Sequence, residues 1–152
     1  MSIAHVKGEN SGYMKCEVII DASVEEVAAY NFLMMSRRKL RLVNKASTIV
    51  RKAMTNNNHS LDYYMVRDFG FAVTPRRWLS RQVWKKDENG NIINVFNDIE
   101  SSKLLTESER VKQNYVAASS VGYLLLEPIK EDGTAFKKTH MTYINQVNLG
   151  GN

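Results

Sequence analysis

The sequence predicts an α+β fold in which a highly curved antiparallel β-sheet wraps one long α-helix. Three observations carry this reading. The segment DASVEEVAAYNFLMM opens with helix-start chemistry and continues with apolar residues at helical spacing. Several later segments alternate side-chain character with the period of two that a half-buried strand requires. Asn89-Gly90 and Asp132-Gly133 fall between such segments, in the positive-φ turns that close antiparallel hairpins.

GYMKCEVII (Gly12 to Ile20) sets Tyr13, Lys15 and Glu17 against Met14, Cys16 and Val18 and reads as a strand. In the helix that follows, Ser23 and Glu26 form a capping box, hydroxyl and carboxylate each satisfying an orphan backbone N–H. Asp21, Glu25 and Glu26 also lie where the helix dipole favours negative charge, so these acids belong to the helix start and not to catalysis. Val24, Val27, Ala28, Phe32 and Met35 form an apolar stripe for core packing.

Further strands are expected at Ala46 to Met54, His59 to Arg67, Arg76 to Lys86, Asn91 to Ile99, Tyr115 to Ile129 and Ala135 to Leu149. Turns are expected at TNNN from Thr55, at DENG from Asp87 and at KEDGT from Lys130, with a short helix or turn over Glu107 to Lys112. No repeat, low-complexity tract or domain boundary interrupts the pattern, so residues 1–152 read as a single domain.

Hydrophobic residues at 43% and charged residues at 24% are those of a soluble globular protein. The single Cys16 excludes an intramolecular disulfide and fits a reducing compartment. The polar N-terminus is unlike a signal peptide, and no apolar run reaches the ~20 residues of a membrane span. The expected location is cytoplasmic, with any membrane contact peripheral.

The net charge of +5 is unevenly spread. From Val27 to Leu61 there is no acid, while Arg37, Arg38, Lys39, Arg41, Lys45, Arg51 and Lys52 are present. Two readings stand: a surface for anionic lipid headgroups, with Arg37, Arg38, Lys39 and Arg41 as the docking residues, or a solvated basic face. Nucleic acid is not the expected partner, because regularly interleaved aromatics that would stack bases are missing.

The motifs of common chemistries are missing too. His5, His59 and His140 are far apart, with no cysteine pair to complete a metal site. Cys16 beside His5 is better read as a structural thiol than as a nucleophile with its base. GxxxxGK[ST], GxSxG and GxGxxG do not occur. What the chain offers instead is polar and small residues on strands that should face a core. Ser80, Gln82 and Trp84 share one strand face. Ala117, Ala118, Ser119, Ser120 and Gly122 are too small to fill a core; they either admit the helix closely or leave a cavity.

The ordered segments DASVEEVAAY, TPRRWLSRQVWKKDENG, VAASSVGYLLLEPI and KTHMTYINQVNLGG resemble the START domain, the steroidogenic-acute-regulatory-related lipid-transfer family. The resemblance runs from about Tyr13 to Gly151. It implies a helix-grip fold: a bent antiparallel sheet gripping a long helix around an apolar cavity for one lipid. It implies binding, transfer or sensing of a sterol, phospholipid, sphingolipid or fatty-acyl lipid, with no catalysis, cofactor or metal. Tyr143 matches a tunnel tyrosine of the family, and period two then turns Asn145 and Val147 inward. The expected ligand-binding set is Tyr63, Ser80, Gln82, Trp84, Ser120, Gly122, Leu124, Tyr143, Asn145 and Val147.

Two departures bear on the ligand. Pro75-Arg76-Arg77-Trp78 stands where the family has Pro-Arg-Asp-Phe, and Gln82 occupies a position where several members place a cavity arginine. An amide there favours a hydroxyl-bearing lipid over a phosphate. The competing readings are an enzyme of the wider helix-grip superfamily, for which Tyr63, His140 and Glu127 are the candidate acid/base groups, and a regulatory membrane- or protein-docking module. The resemblance further implies that the family's N-terminal helix and C-terminal lid helix are missing. An unlidded core of this kind is expected to cover its groove with ligand, a partner chain or self-association.

Overall fold

The computed structural model describes residues 1–5, 11–33, 35–37, 41, 48–70, 73–106, 114–129 and 137–150, with the His5 backbone alone at that position. Among these residues one α-helix, α1 (Val24–Phe32), and nine strands are present. The strands are β1 (Ser2–His5), β2 (Gly12–Ile20), β3 (Thr48–Asn57), β4 (Ser60–Arg67), β5 (Arg76–Lys86), β6 (Ile92–Asp98), β7 (Val116–Ala117), β8 (Ser119–Ile129) and β9 (Lys138–Asn148).

They form one curved sheet in the order β1-β2-β9-β8-β6-β5-β4-β3, antiparallel throughout this path. The short β7 pairs parallel with the start of β5, where β6 no longer reaches. Asp98 ends the β6–β8 ladder by accepting the Ser120 backbone N–H at 3.0 Å. Sequence-adjacent strands meet through hairpins, and Gly90 supplies the positive φ (85°) that the β5–β6 turn requires.

Helix α1 begins as its residues dictate. The Glu26 backbone N–H donates to Ser23 Oγ at 3.2 Å and the Ser23 N–H to Glu26 Oε2 at 2.9 Å, completing the capping box. It ends sooner than the fifteen-residue segment suggested. The Asn31 side chain donates to the Val27 carbonyl at 2.9 Å, competing with the helical ladder, and Leu33 leaves the helical region at φ −76°, ψ 71°. The apolar stripe therefore packs only as far as Phe32, and Met35 is exposed.

Two apolar clusters lie on opposite faces of the sheet. On the face that carries α1, Val24 and Val27 bury against Ile92, Leu124 and Leu126. On the other, Tyr64 and Val66 bury against Leu105 of the segment after β6. That segment is tied down by Asp62, 1% exposed, which accepts hydrogen bonds from Ser102 (2.5 Å), Asn56 (2.7 Å) and the Arg81 guanidinium (2.7 and 3.1 Å).

Several expected boundaries shift. Thr55 to Asn57, assigned to a turn, extend β3 through a register irregularity, and the turn itself falls at Asn58 and His59. The expected strand Tyr115 to Ile129 is broken at Ala118, whose N–H donates to the Arg77 carbonyl. β1 was not anticipated, since its polar sequence carries no strand pattern of its own. The expected helix or turn at 107–112, the KEDGT turn, and Arg38, Lys39 and Lys45 lie outside the described residues.

Candidate ligand-binding groove

The inner face of the sheet, shared with α1, follows from register. Cross-strand partners point the same way, and Tyr63 faces Ser80, Gln82 faces Phe96, Phe96 faces Gly122, and Gly122 faces Asn145. One row on, Trp84, Asn94, Leu124, Tyr143 and Cys16 are partners across five strands. These rows bound a concavity of about 730 Å³. Met14, Met65, Trp78, Phe96, Leu124 and Met141 give it apolar walls, and Ser80, Gln82, Asn94 and Asn145 give it polar ones.

Eight of the ten residues expected from sequence are brought together on this wall: Tyr63, Ser80, Gln82, Ser120, Leu124, Tyr143, Asn145 and Val147. Trp84 and Gly122 are not. Trp84 shares the inner face but lines a smaller, nearly apolar recess of about 290 Å³ beside α1, with Ala28, Phe32 and Leu126. Its Nε1–H donates to the Asn58 carbonyl at 3.0 Å, and its ring meets His59 at 4.6 Å and Phe32 edge-on at 6.1 Å. Gly122 is covered by the Phe96 ring, which stacks on Tyr143 at 5.9 Å. Asn94 and Leu124 line both the groove and the recess.

Burial raises the Tyr63 phenol above its ordinary pKa, with the Arg51 and Arg67 guanidiniums pulling weakly the other way. Burial raises Tyr143 likewise, offset in part by the Asn145 side chain. Both phenols therefore stay protonated near neutrality and can hydrogen-bond but not serve as bases. Gln82, Asn94 and Asn145 are each less than one-tenth exposed, and their amide oxygens meet no hydrogen-bond donor of the described protein.

Three groups of wall residues escaped the sequence reading. Asn94 and Phe96 were missed because Ile93 and Val95 between them look like the core-facing set, yet these are 41% and 47% exposed. Period two on β6, phased from Gln82, would have found both. Met65 and Arg67 follow Tyr63 on β4 by the same rule. Cys16 and Met14 enter from β2, with Cys16 half-buried and free. The candidate acid/base groups do not assemble. Tyr63 faces the groove, whereas His140 pairs with Glu127 at 3.1 Å on the outer face, out of phase with Met141 and Tyr143.

A curved antiparallel sheet closed on one helix, with a mixed apolar and polar groove between them, is the architecture of helix-grip ligand-binding domains. Solved structures narrow this. The chain superposes on the human StarD13 (DLC2) lipid transfer and protein localization domain with a TM-score of 0.67 at 20% identity, 96% of this chain matching 67% of that one. For the STAR-related lipid transfer protein of Xanthomonas axonopodis the TM-score is 0.69 at 14% identity, covering 99% and 76%. For human STARD10 it is 0.70 at 14%, covering 99% and 62%. Norcoclaurine synthase of Thalictrum flavum matches more loosely, at 0.53 and 8% identity, covering 99% and 79%. The sequence itself matches no protein-family model and no curated protein. By fold, the chain is a START-like domain.

Proposed function

We propose that the groove binds one lipid without covalent chemistry, and that the domain transfers or senses that lipid. The observation that supports this most is an inversion of the usual burial pattern. On β5 Gln82 is 8% exposed and Val83 46%, and on β6 Asn94 is 6% exposed and Val95 47%. A sheet that turns amides inward and valines outward is not optimised for a dry core, because each unpaired buried amide costs free energy that water or a ligand must offset. A groove walled by Met, Trp, Phe and Leu side chains with a few polar groups suits an acyl or ring system carrying a small polar end.

The ligand is a sterol, phospholipid, sphingolipid or fatty-acyl lipid, held by the eight wall residues named above together with Phe96 and Asn94. No helix of the described residues is long and apolar enough to cross a membrane. Arg37 and Arg41 are exposed beyond α1 and provide the peripheral docking point for an anionic bilayer in the cytoplasm. Without lipid, the groove is covered by self-association. The likeness to norcoclaurine synthase supports an enzymatic reading by fold alone, and the separation of Tyr63 from the His140–Glu127 pair argues against the acid/base set considered for it.

A vesicle transfer assay tests the reading. Protein at substoichiometric concentration should speed movement of a fluorescent lipid from donor to acceptor vesicles. Unchanged transfer together with no lipid retained by the protein overturns it.

A further inference from the structure

Gln82, Asn94 and Asn145 place three amide oxygens in the wall of one groove, each enclosed and each without a donor among the described residues. A buried carbonyl left unmade loses the full hydration of the group, whereas an apolar side chain of the same shape loses nothing. Met would fit at Gln82 and Leu at Asn94, so the amides are a cost to the empty fold. We propose that their partners are donors on the ligand, so that the lipid recognised here carries two or more hydroxyl or amide N–H groups at its polar end and needs no phosphate. This inference rests on the lipid-binding reading of the groove.

The register supports a shared headgroup. Gln82 stands opposite Phe96 and Asn94 opposite Trp84 on the same pair of strands, a diagonal relation of about 7–8 Å. Two donors on one small headgroup span that distance with side chains converging. Asn145 faces them from β9, beyond Gly122, so a third donor extends the same contact. The polarity also decides against an anion at this point, since carbonyl lone pairs repel phosphate oxygens. Arg67 lines a different part of the groove, toward Phe69, and is where a phosphate would go instead.

The test uses three probes: 1-monopalmitoylglycerol, its 2,3-di-O-methyl ether, and dioleoylphosphatidylcholine vesicles. The first two share chain and acceptors and differ only in donors. Native mass spectrometry of wild-type protein with each should show the diol preferred over the diether by about tenfold, the size of one net hydrogen bond. Gln82→Met and Asn94→Leu should each reduce that preference while raising the Tm of the lipid-free protein. Equal binding of diol and diether, or phosphatidylcholine displacing both, overturns the donor proposal and leaves lipid binding standing. Binding of no probe overturns the lipid reading with it. A lowered lipid-free Tm in both variants shows that the amides stabilise the fold, which also overturns the proposal. Should one variant fail to fold, the other variant and the wild-type comparison decide.

Discussion

The Phe96 ring lies across Gly122 so closely that a Cβ on the glycine would meet its Cζ at 2.7 Å. The Ile144 carbonyl and the Asn145 Cα crowd the same point from β9. Gly122 is thus the place where two strands and an aromatic ring converge, and the ring can stack on Tyr143 only because nothing stands beneath it. Gly122→Ala is expected to destabilise the protein by about 1–3 kcal/mol through overpacking. Urea denaturation with an unchanged m-value checks this. Adding Phe96→Leu should recover only part of the loss, since the Ile144 carbonyl is backbone and remains in place.

Asp62 pins the segment after β6 to the sheet. Asp62→Ala leaves Arg81, Ser102 and Asn56 without their shared acceptor, and a loss of about 3 kcal/mol is expected, as for one partner removed from a buried pair. Burial works to raise this carboxyl, but the hydrogen bonds from Arg81, Ser102 and Asn56 hold it below the ordinary aspartate value. A group depressed in the folded state contributes stability above its unfolded pKa and loses it as pH falls through the folded one. Wild-type protein should therefore lose stability below about pH 4 more steeply than Asp62→Asn. Parallel slopes in acid denaturation contradict the assignment.

Ser23→Ala should cost about 1 kcal/mol by removing the cap of α1. The Glu26 carboxyl is held below its ordinary value chiefly by the Ser23 backbone N–H and side chain. The contribution of that carboxylate is accordingly present above its unfolded pKa and disappears on acidification. Thermal melts of wild type and variant at neutral and acidic pH should converge as the pH falls.

How far the sequence carried depends on which physics was local. The β5–β6 hairpin was legible because Asn-Gly chemistry and strand alternation are both short-range, and β5 has the limits expected of it. The capping box was equally local. Trp84 and Gly122 show the limit. Parity put both on the inner face correctly, but which concavity a residue lines depends on its position along a curved strand and on its cross-strand neighbour. For Trp84 the end of α1 intervenes, and for Gly122 the Phe96 ring does. β1 exists through its ladder to β2, from Ser2 opposite Lys15 to His5 opposite Gly12, which no property of SIAH alone encodes. Asn94 was hidden by hydropathy itself, because Ile93 and Val95 claim the core and do not occupy it.

Membrane docking gives a separate expectation. Arg37→Glu combined with Arg41→Glu reverses charge at two exposed positions and should abolish co-sedimentation with vesicles containing anionic phospholipid, without affecting the Tm. Raised salt should weaken wild-type binding in the same assay. Equal binding to neutral and anionic vesicles contradicts electrostatic docking.

The central claim, a groove that holds one lipid, is tested most directly by native mass spectrometry of the purified protein after exposure to a mixed lipid extract. The account predicts a 1:1 adduct of lipid mass, lost or strongly reduced when Leu124→Glu places a charge in the groove wall of a variant that still folds. A protein that emerges free of lipid from the same extract, or an adduct unchanged by Leu124→Glu, contradicts it.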